Sequence, residues 1–414
     1  MKTPPPSGWR AIPRTVWALS LTSFLRDVAS EMIGNLLPIF LATTLGVRIS
    51  LIGLIEGLTQ ATSSLTRWYS GWLSDRWNDR KWLTASGYGL AAVATTLLLV
   101  ATTWPVILFM RLLDRLGKGI RTAPRDALIA DSTPPALRGR SFGLHRAADT
   151  AGAFVGLLLA VLIVSNVQAD SSYLSAATWR WLVLAAIIPG TLAVLVVVFG
   201  VREVKMARVA VAADAPKVRV GGRRFYTLLG IIGLFTLGNS SDAFLILRVQ
   251  SSGISLVHLL LLLAGFNLVY SLGSGPAGGL SDRVGRGRVL LAGWLLYGLV
   301  YCGFALANAA WHWWILYACY AIFYALTDGV TKALIADLVP PQTRGTAYGL
   351  YNAVVGVAIL PASVIAGVLW QGVGAWQGFG PAAPFYFGAG CAMLAMVLLF
   401  GWLRSYEQGE TSNE

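Results

Sequence analysis

Charge is what this sequence has least of. Only 12% of its 414 residues are charged, 56% are hydrophobic, and the mean hydropathy is +0.65. A soluble chain of this length needs far more charge to cover its surface, which excludes an ordinary globular domain. Cysteine is scarce too. Cys302, Cys319 and Cys391 lie in apolar runs without CxxC spacing, so neither a disulfide framework nor a thiolate metal site is expected. The histidines His145, His258 and His312 are scattered, HExxH is absent, and no metal site is expected. No GxxxxGK[ST] loop occurs, and Gly117-Lys118-Gly119 is too short to cradle phosphate, so ATP has no binding motor here. Nothing pairs a nucleophile with a base, so the reading is no enzyme and no cofactor. No cleavable leader is expected. Lys2, Arg10 and Arg14 precede a long apolar segment without an A-x-A-like site, as in a retained first helix with a cytoplasmic N-terminus.

What fills the chain is a series of apolar stretches near the ~20 residues that cross a bilayer as a helix. About twelve such spans are expected, making an all-α membrane protein of two six-helix bundles. The divisions are a tail at 1–14, a bundle over 15–201, a basic linker at 202–224, a second bundle over 225–404 and a tail at 405–414. The net charge of +13 gathers at 74–82, 138–140, 202–224 and 283–288, while the alternate loops hold almost no Lys or Arg apart from Arg48. That is positive-inside asymmetry: the surplus reports topology, not a nucleic-acid partner. Both termini are then cytoplasmic, in an inner (plasma) membrane, with the lipid bilayer as a partner and a monomer the expected state.

The chain repeats itself. Ala127-Leu-Ile-Ala-Asp131 returns 206 residues later as Ala333-Leu-Ile-Ala-Asp337, and Pro134-Pro135, Arg138-Gly139 and Gly143 return as Pro340-Pro341, Arg344-Gly345 and Gly349. Leu73-Ser-Asp75-Arg76 returns as Leu280-Ser-Asp282-Arg283, 207 residues on. Two registers that agree this closely across distant loops mark parallel repeats.

GWLSDRWNDRK at 71–81 and GGLSDRVGRGR at 278–288 resemble the loop signature G-x-x-x-D-R-x-G-R-[RK] of the major facilitator superfamily, each following the second span of its half. Asn78 and Gly287 depart from the pattern, and the exporter-associated motif of span five survives only as Gly152-Ala-Phe-Val-Gly156-Leu157, without its proline. The resemblance implies secondary transport of a small-molecule solute by alternating access. It also implies a conformational gate. Gly71 would allow close approach of a helix, Asp75 would sit at a helix N-terminus, and Arg76 and Arg80 would pair with Asp131. Asp282, Arg283 and Arg286 would repeat this toward Asp337, with Arg138 and Arg344 in the matching loops.

Charges within the spans are the candidate pathway. Arg111, Arg115, Lys118, Thr122 and Arg125 share one face of span four, beside Asp114. Asp27, ten residues and so ~15 Å along its helix from Trp17, is close to mid-bilayer and shares a face with Glu31. By resemblance, spans one and four line the central cavity, so Asp27 and Glu31 are expected to face Arg111, Arg115 or Lys118 across water, with Arg26 turned about 100° aside. Such a cluster either fixes helix packing as static ion pairs or carries solute and protons. Glu56, Asp242 and Asp328, the last four residues before Lys332, complete the candidates. The reading is a transporter of an anionic or amphipathic solute, coupled to protons and favouring efflux. An uptake permease, or a scaffold that kept the fold without transport, stands as the alternative.

Overall fold

The computed structural model describes residues 12–77, 79–134, 137–169, 171–203, 221–340 and 343–411. The side-chain positions of Gly71, Asp75, Arg76, Arg138, Asp282 and Arg344 lie outside the described residues, as do those of Asn78 and most of the linker.

The protein is an all-α membrane protein. Its helices are α1 (Arg14–Gly34), α2 (Ile49–Trp77), α3 (Arg80–Leu97), α4 (Trp104–Ser132), α5 (Arg138–Val167) and α6 (Ala176–Gly200). They continue as α7 (Arg223–Gly238), α8 (Ala243–Ser251), α9 (Leu256–Val284), α10 (Arg286–Leu306), α11 (Ala310–Leu338), α12 (Arg344–Gln371) and α13 (Ala383–Thr411). Among the described residues, eight helical segments are long and apolar enough to cross a membrane. The long helices outside that set are α1, α2, α4 and α11, and each carries interior charges: Asp27, Glu56, Arg111 and Asp328 are examples.

Two compact units divide the chain. The first joins Met1–Leu45 to Thr62–Val211, and the second joins Gly46–Ala61 to Ala212–Glu414. In the first unit, α1 packs on α5 and α6, and α3 packs on α4 and α6. The α1–α5 contact runs over bare backbone. A Cβ built on Gly152 would stand 2.4 Å from the carbonyl oxygen of Phe24, and one on Gly156 would stand 2.6 Å from that of Val28. Small residues four apart admit such approach, so the pair kept from the span-five motif has a packing reason. Gly156→Leu is expected to cost about 1–3 kcal/mol by overpacking, seen as a lower melting temperature of the purified protein; an unchanged value would refute the contact.

Residues 46–61, which the sequence assigns to the first bundle, pack within the second unit. The cause is again close backbone contact. A Cβ on Gly53 would meet the carbonyl oxygen of Ser363 at 2.3 Å, and one on Gly57 would meet Leu360 of α12 at 2.9 Å. Span seven also differs from expectation, being broken between α7 and α8. Asn239, Ser240, Ser241 and Asp242 favour local hydrogen bonds over helix, and the amide of Ala243 donates to Ser241 Oγ at 3.3 Å. Around the break lies an aromatic core. Tyr297 stacks on Tyr301 with centroids 4.0 Å apart, and its hydroxyl donates to the carbonyl of Gly238 at 3.0 Å.

Candidate functional site

The interior of the first unit is ordered along α4. Its first layer holds Arg26 of α1, which is 3% exposed and forms an ion pair with Asp114 of α4. Arg26 Nη1 also donates to Thr95 Oγ1 of α3 at 3.1 Å, so one guanidinium ties three helices together. Arg111, Arg115 and Arg121 are the other cations acting on Asp114. Arg111 and Arg121 are buried, at 7% and 6% exposure.

Asp27 belongs to the next layer. The charges acting on it are Asp149 of α5, Lys118 and Arg121 of α4, and Glu31 of its own helix. Glu31 accepts a hydrogen bond from Asn35 Nδ2 at 2.7 Å. Lys118 is one of the three cations expected opposite Asp27, and Arg121 is not. Asp27 is set among Lys118 and Arg121, and Arg26, expected to turn aside, makes the ion pair with α4. More than one face of α1 is interior because α5 and α6 flank it as well.

The third layer centres on Arg125. Its Nε donates to Asp126 Oδ1 at 3.0 Å, and its Nη1 donates to Ser23 Oγ of α1 at 3.1 Å. The Arg121 guanidinium lies 4.7 Å from the Tyr88 ring centroid, a cation–π contact. Among the described residues of this cluster, the cations Arg26, Arg67, Arg111, Arg115, Lys118, Arg121 and Arg125 outnumber the carboxylates Asp27, Glu31, Asp114, Asp126 and Asp149. Nη1 of Arg121 and Nε of Arg26 are buried without a protein acceptor. Arg26 and Asp149 escaped the choice of site residues from sequence, as did Arg67, Arg121 and Arg125. The four-residue spacing of His145 and Asp149 on one face of span five was the available signal for Asp149.

The second unit replaces this charge with hydroxyls. At the repeat offset of 206, Arg111 corresponds to Tyr317, Asp114 to Tyr320, Lys118 to Tyr324, Arg121 to Thr327 and Arg125 to Thr331. Tyr320 donates to Asp242 Oδ1 at 2.7 Å and Tyr324 to Oδ2 at 3.4 Å, so one exposed carboxylate at the α7–α8 break is held by α11. Tyr270 donates to Asp328 Oδ2 at 2.9 Å, and Lys332 pairs with Asp328 Oδ1 at 2.8 Å within α11. Glu56, 4% exposed, accepts from Ser241 Oγ at 3.5 Å.

The loop signatures yield matching ion pairs. Arg80 at the start of α3 pairs with Asp131 near the end of α4. Arg286 at the start of α10 pairs with Asp337 near the end of α11, and its Nη1 also donates to the carbonyl of Ala333 at 2.7 Å. Both partners of the second pair lie 206 residues beyond those of the first. Arg283 is exposed beside the second pair. Among the described residues, no group of three or more His, Cys, Asp or Glu is placed to hold a metal ion.

The Major Facilitator Superfamily model matches residues 19–261 and 229–414. An uncharacterised MFS-type transporter of Methanocaldococcus jannaschii is 35% identical over 400 residues, which is 94% of this chain and 95% of that protein. Among solved structures, a bacterial homologue of the human lysosomal transporter Spinster, inward-facing and occupied, aligns with TM-score 0.75 at 16% identity, over 96% of this chain and 98% of that one. A nucleoside transporter aligns with TM-score 0.76 at 14% identity, over 94% and 99%. With two repeats carrying the same ion pair and a family match spanning both, the chain belongs to the Major Facilitator Superfamily.

Proposed function

We propose that this secondary transporter moves a small anionic or amphipathic solute by alternating access, coupled to protons and in the direction of efflux. The observation that carries the reading is the surplus of buried guanidinium groups over carboxylates along α4, with Nη1 of Arg121 lacking a protein acceptor. Buried cations are costly at bilayer depth, and a static scaffold gains nothing from keeping more of them than it can neutralise. An anionic solute supplies the missing charge during transport. The tyrosine- and threonine-bearing face of α11 suits the less polar end of an amphipathic molecule. Asp27 and Glu31 are the proton-carrying candidates, Arg111, Arg115 and Lys118 the solute-facing ones. Glu56, Asp242 and Asp328 serve the second half of the pathway. The pairs Arg80–Asp131 and Arg286–Asp337 act as gate elements, in an inner membrane with both termini cytoplasmic.

Counterflow in proteoliposomes tests this directly. Vesicles loaded with an unlabelled aromatic carboxylate are expected to exchange it for labelled solute, and to accumulate label when a pH gradient opposes its exit. Arg115→Glu is expected to abolish exchange of every anionic candidate while leaving the folded yield intact. Exchange unchanged by that substitution would remove the case for an anion. No exchange with any of a panel of carboxylates, phosphates, sugars and amines would favour a scaffold.

A further inference from the structure

The start of α10 opens on a cavity of about 730 Å³ beside the Arg286–Asp337 pair, to which the transport reading assigns no ligand. Arg283, Arg286, Arg288 and Arg404 line it, against the single acid Asp337 among the described lining residues. Asp337 is already engaged by Arg286. Arg283, Arg288 and Arg404 are exposed, and the Arg404 guanidinium lies 4.4 Å from the Phe400 ring centroid, which holds it at the rim. Apart from Ser281, the rest of the described lining is apolar or glycine, with Leu291, Leu334, Phe400 and Leu403 among it. We infer that this cavity binds the phosphate of an anionic phospholipid headgroup.

Charge and geometry both select a phosphate. Planar guanidinium groups pair with phosphate oxygens through two parallel hydrogen bonds. The first turn of the 21-residue α10 adds its backbone amides and the positive end of its dipole. The cap of that helix is Gly285, at φ +103°, which has no side chain to occupy the amides.

The other repeat shows that this position takes an anion. At the start of α3, both carboxylate oxygens of Glu203 receive backbone amides, from Arg80 at 3.3 Å and from Lys81 at 2.6 Å. The sequence there supplies its own anion. In the second repeat Arg288 stands where the first has Trp82, and Arg404 where it has Val198, so basic side chains enlarge the same corner. Gly287, which breaks the basic run of the signature, has a reason here as well. A Cβ at that position would displace the side chain of Leu403, so glycine leaves that leucine its place in the cavity wall.

A lipid, in preference to free phosphate, follows from the lining. The arginines stand beside leucine and phenylalanine side chains, and Val284 and Phe400 are 46% and 47% exposed, a surface suited to acyl chains. Basic pockets among membrane helices on the positive face are the usual seat of acidic headgroups. The occupant would lie against the Arg286–Asp337 pair and so bear on that gate.

The test uses the full chain in detergent, titrated with phosphatidylglycerol, phosphatidylcholine or inorganic phosphate and read by native mass spectrometry. Phosphatidylglycerol is expected to bind at least about tenfold more tightly than phosphatidylcholine, and Arg288→Gln with Arg404→Gln is expected to remove that preference. Arg288→Lys with Arg404→Lys should retain part of it, since charge persists without the planar fork. The pair Arg180→Gln and Arg223→Gln, equal in charge but absent from the cavity lining, should leave it unchanged. Equal preference in wild type and the cavity variant overturns the inference, as does equal loss in the remote control. Binding of inorganic phosphate at the same concentrations as the lipid overturns the lipid assignment.

Discussion

Asp114→Ala is expected to destabilise the first unit by about 3–5 kcal/mol, the usual cost of stranding one member of a buried ion pair. Arg26 would keep its charge at 3% exposure with no anion opposite it. Thr95 cannot compensate, because its hydroxyl is a neutral acceptor that already donates to the carbonyl of Ala91 at 2.9 Å. Repulsion from Arg111, Arg115 and Arg121, until then opposed by the same carboxylate, adds to the loss. The contrast with Lys332–Asp328 fixes the scale. That pair is 49% and 35% exposed and spans four residues of one helix, where about 0.3–0.5 kcal/mol is typical. Burial, not the presence of an ion pair, sets the magnitude.

The double substitution Arg26→Met with Asp114→Leu separates stability from transport. Removing both charges abolishes the stranded guanidinium, and apolar replacements of a buried pair are often neutral. Most of the melting temperature should therefore return, and the single variants Arg26→Met and Asp114→Leu, measured beside the double, complete the cycle that gives the coupling energy. Transport should not return, because Asp114 also opposes three further cations of α4. Single-variant losses that add up to the loss of the double would show that the pair has no coupling energy. A double variant that transports normally would reduce it to a packing device.

Much of this fold is legible in the sequence because membrane helices announce themselves by length and hydropathy. The repeat is legible because Ala-Leu-Ile-Ala-Asp and its flanking prolines return at one offset. By that offset the Arg80–Asp131 pair corresponds to Arg286–Asp337. The interior was harder. Helical spacing says that Asp27 and Glu31 share a face and that Arg26 does not, but it does not say which face is buried. α1 has neighbours on several sides, so Arg26 is buried while Asp27 is half-buried. The break in span seven was marked by Asn239-Ser240-Ser241-Asp242, four residues that favour local hydrogen bonds, inside a run otherwise apolar enough to hide them. The packing of residues 46–61 in the second unit had no local signal beyond Gly53 and Gly57. A glycine says that something comes close; only the fold says what.

Asp27→Asn is expected to separate proton coupling from solute exchange. The amide is nearly the same size as the carboxylate, so α1 should pack as before while the titrating proton is lost. Asp27 is surrounded by opposed influences, Lys118 and Arg121 of one sign and Asp149 and Glu31 of the other. Two unit charges 4 Å apart interact by about 4 kcal/mol at an effective dielectric constant of 20. A displacement that moves one such neighbour therefore changes proton affinity by up to about three orders of magnitude, enough to load and release a proton within one cycle. In Asp27→Asn, counterflow under equal pH should persist within a few-fold of wild type, since exchange needs no net proton movement. Accumulation driven by a pH gradient should fall to the level of protein-free vesicles. The same substitution at Glu31, whose carboxylate accepts from Asn35 on its own helix, should lower accumulation without abolishing it. If Asp27→Asn still concentrates solute against its gradient, the proton travels by another route, with Asp242 and Glu56 of the second unit next to be substituted.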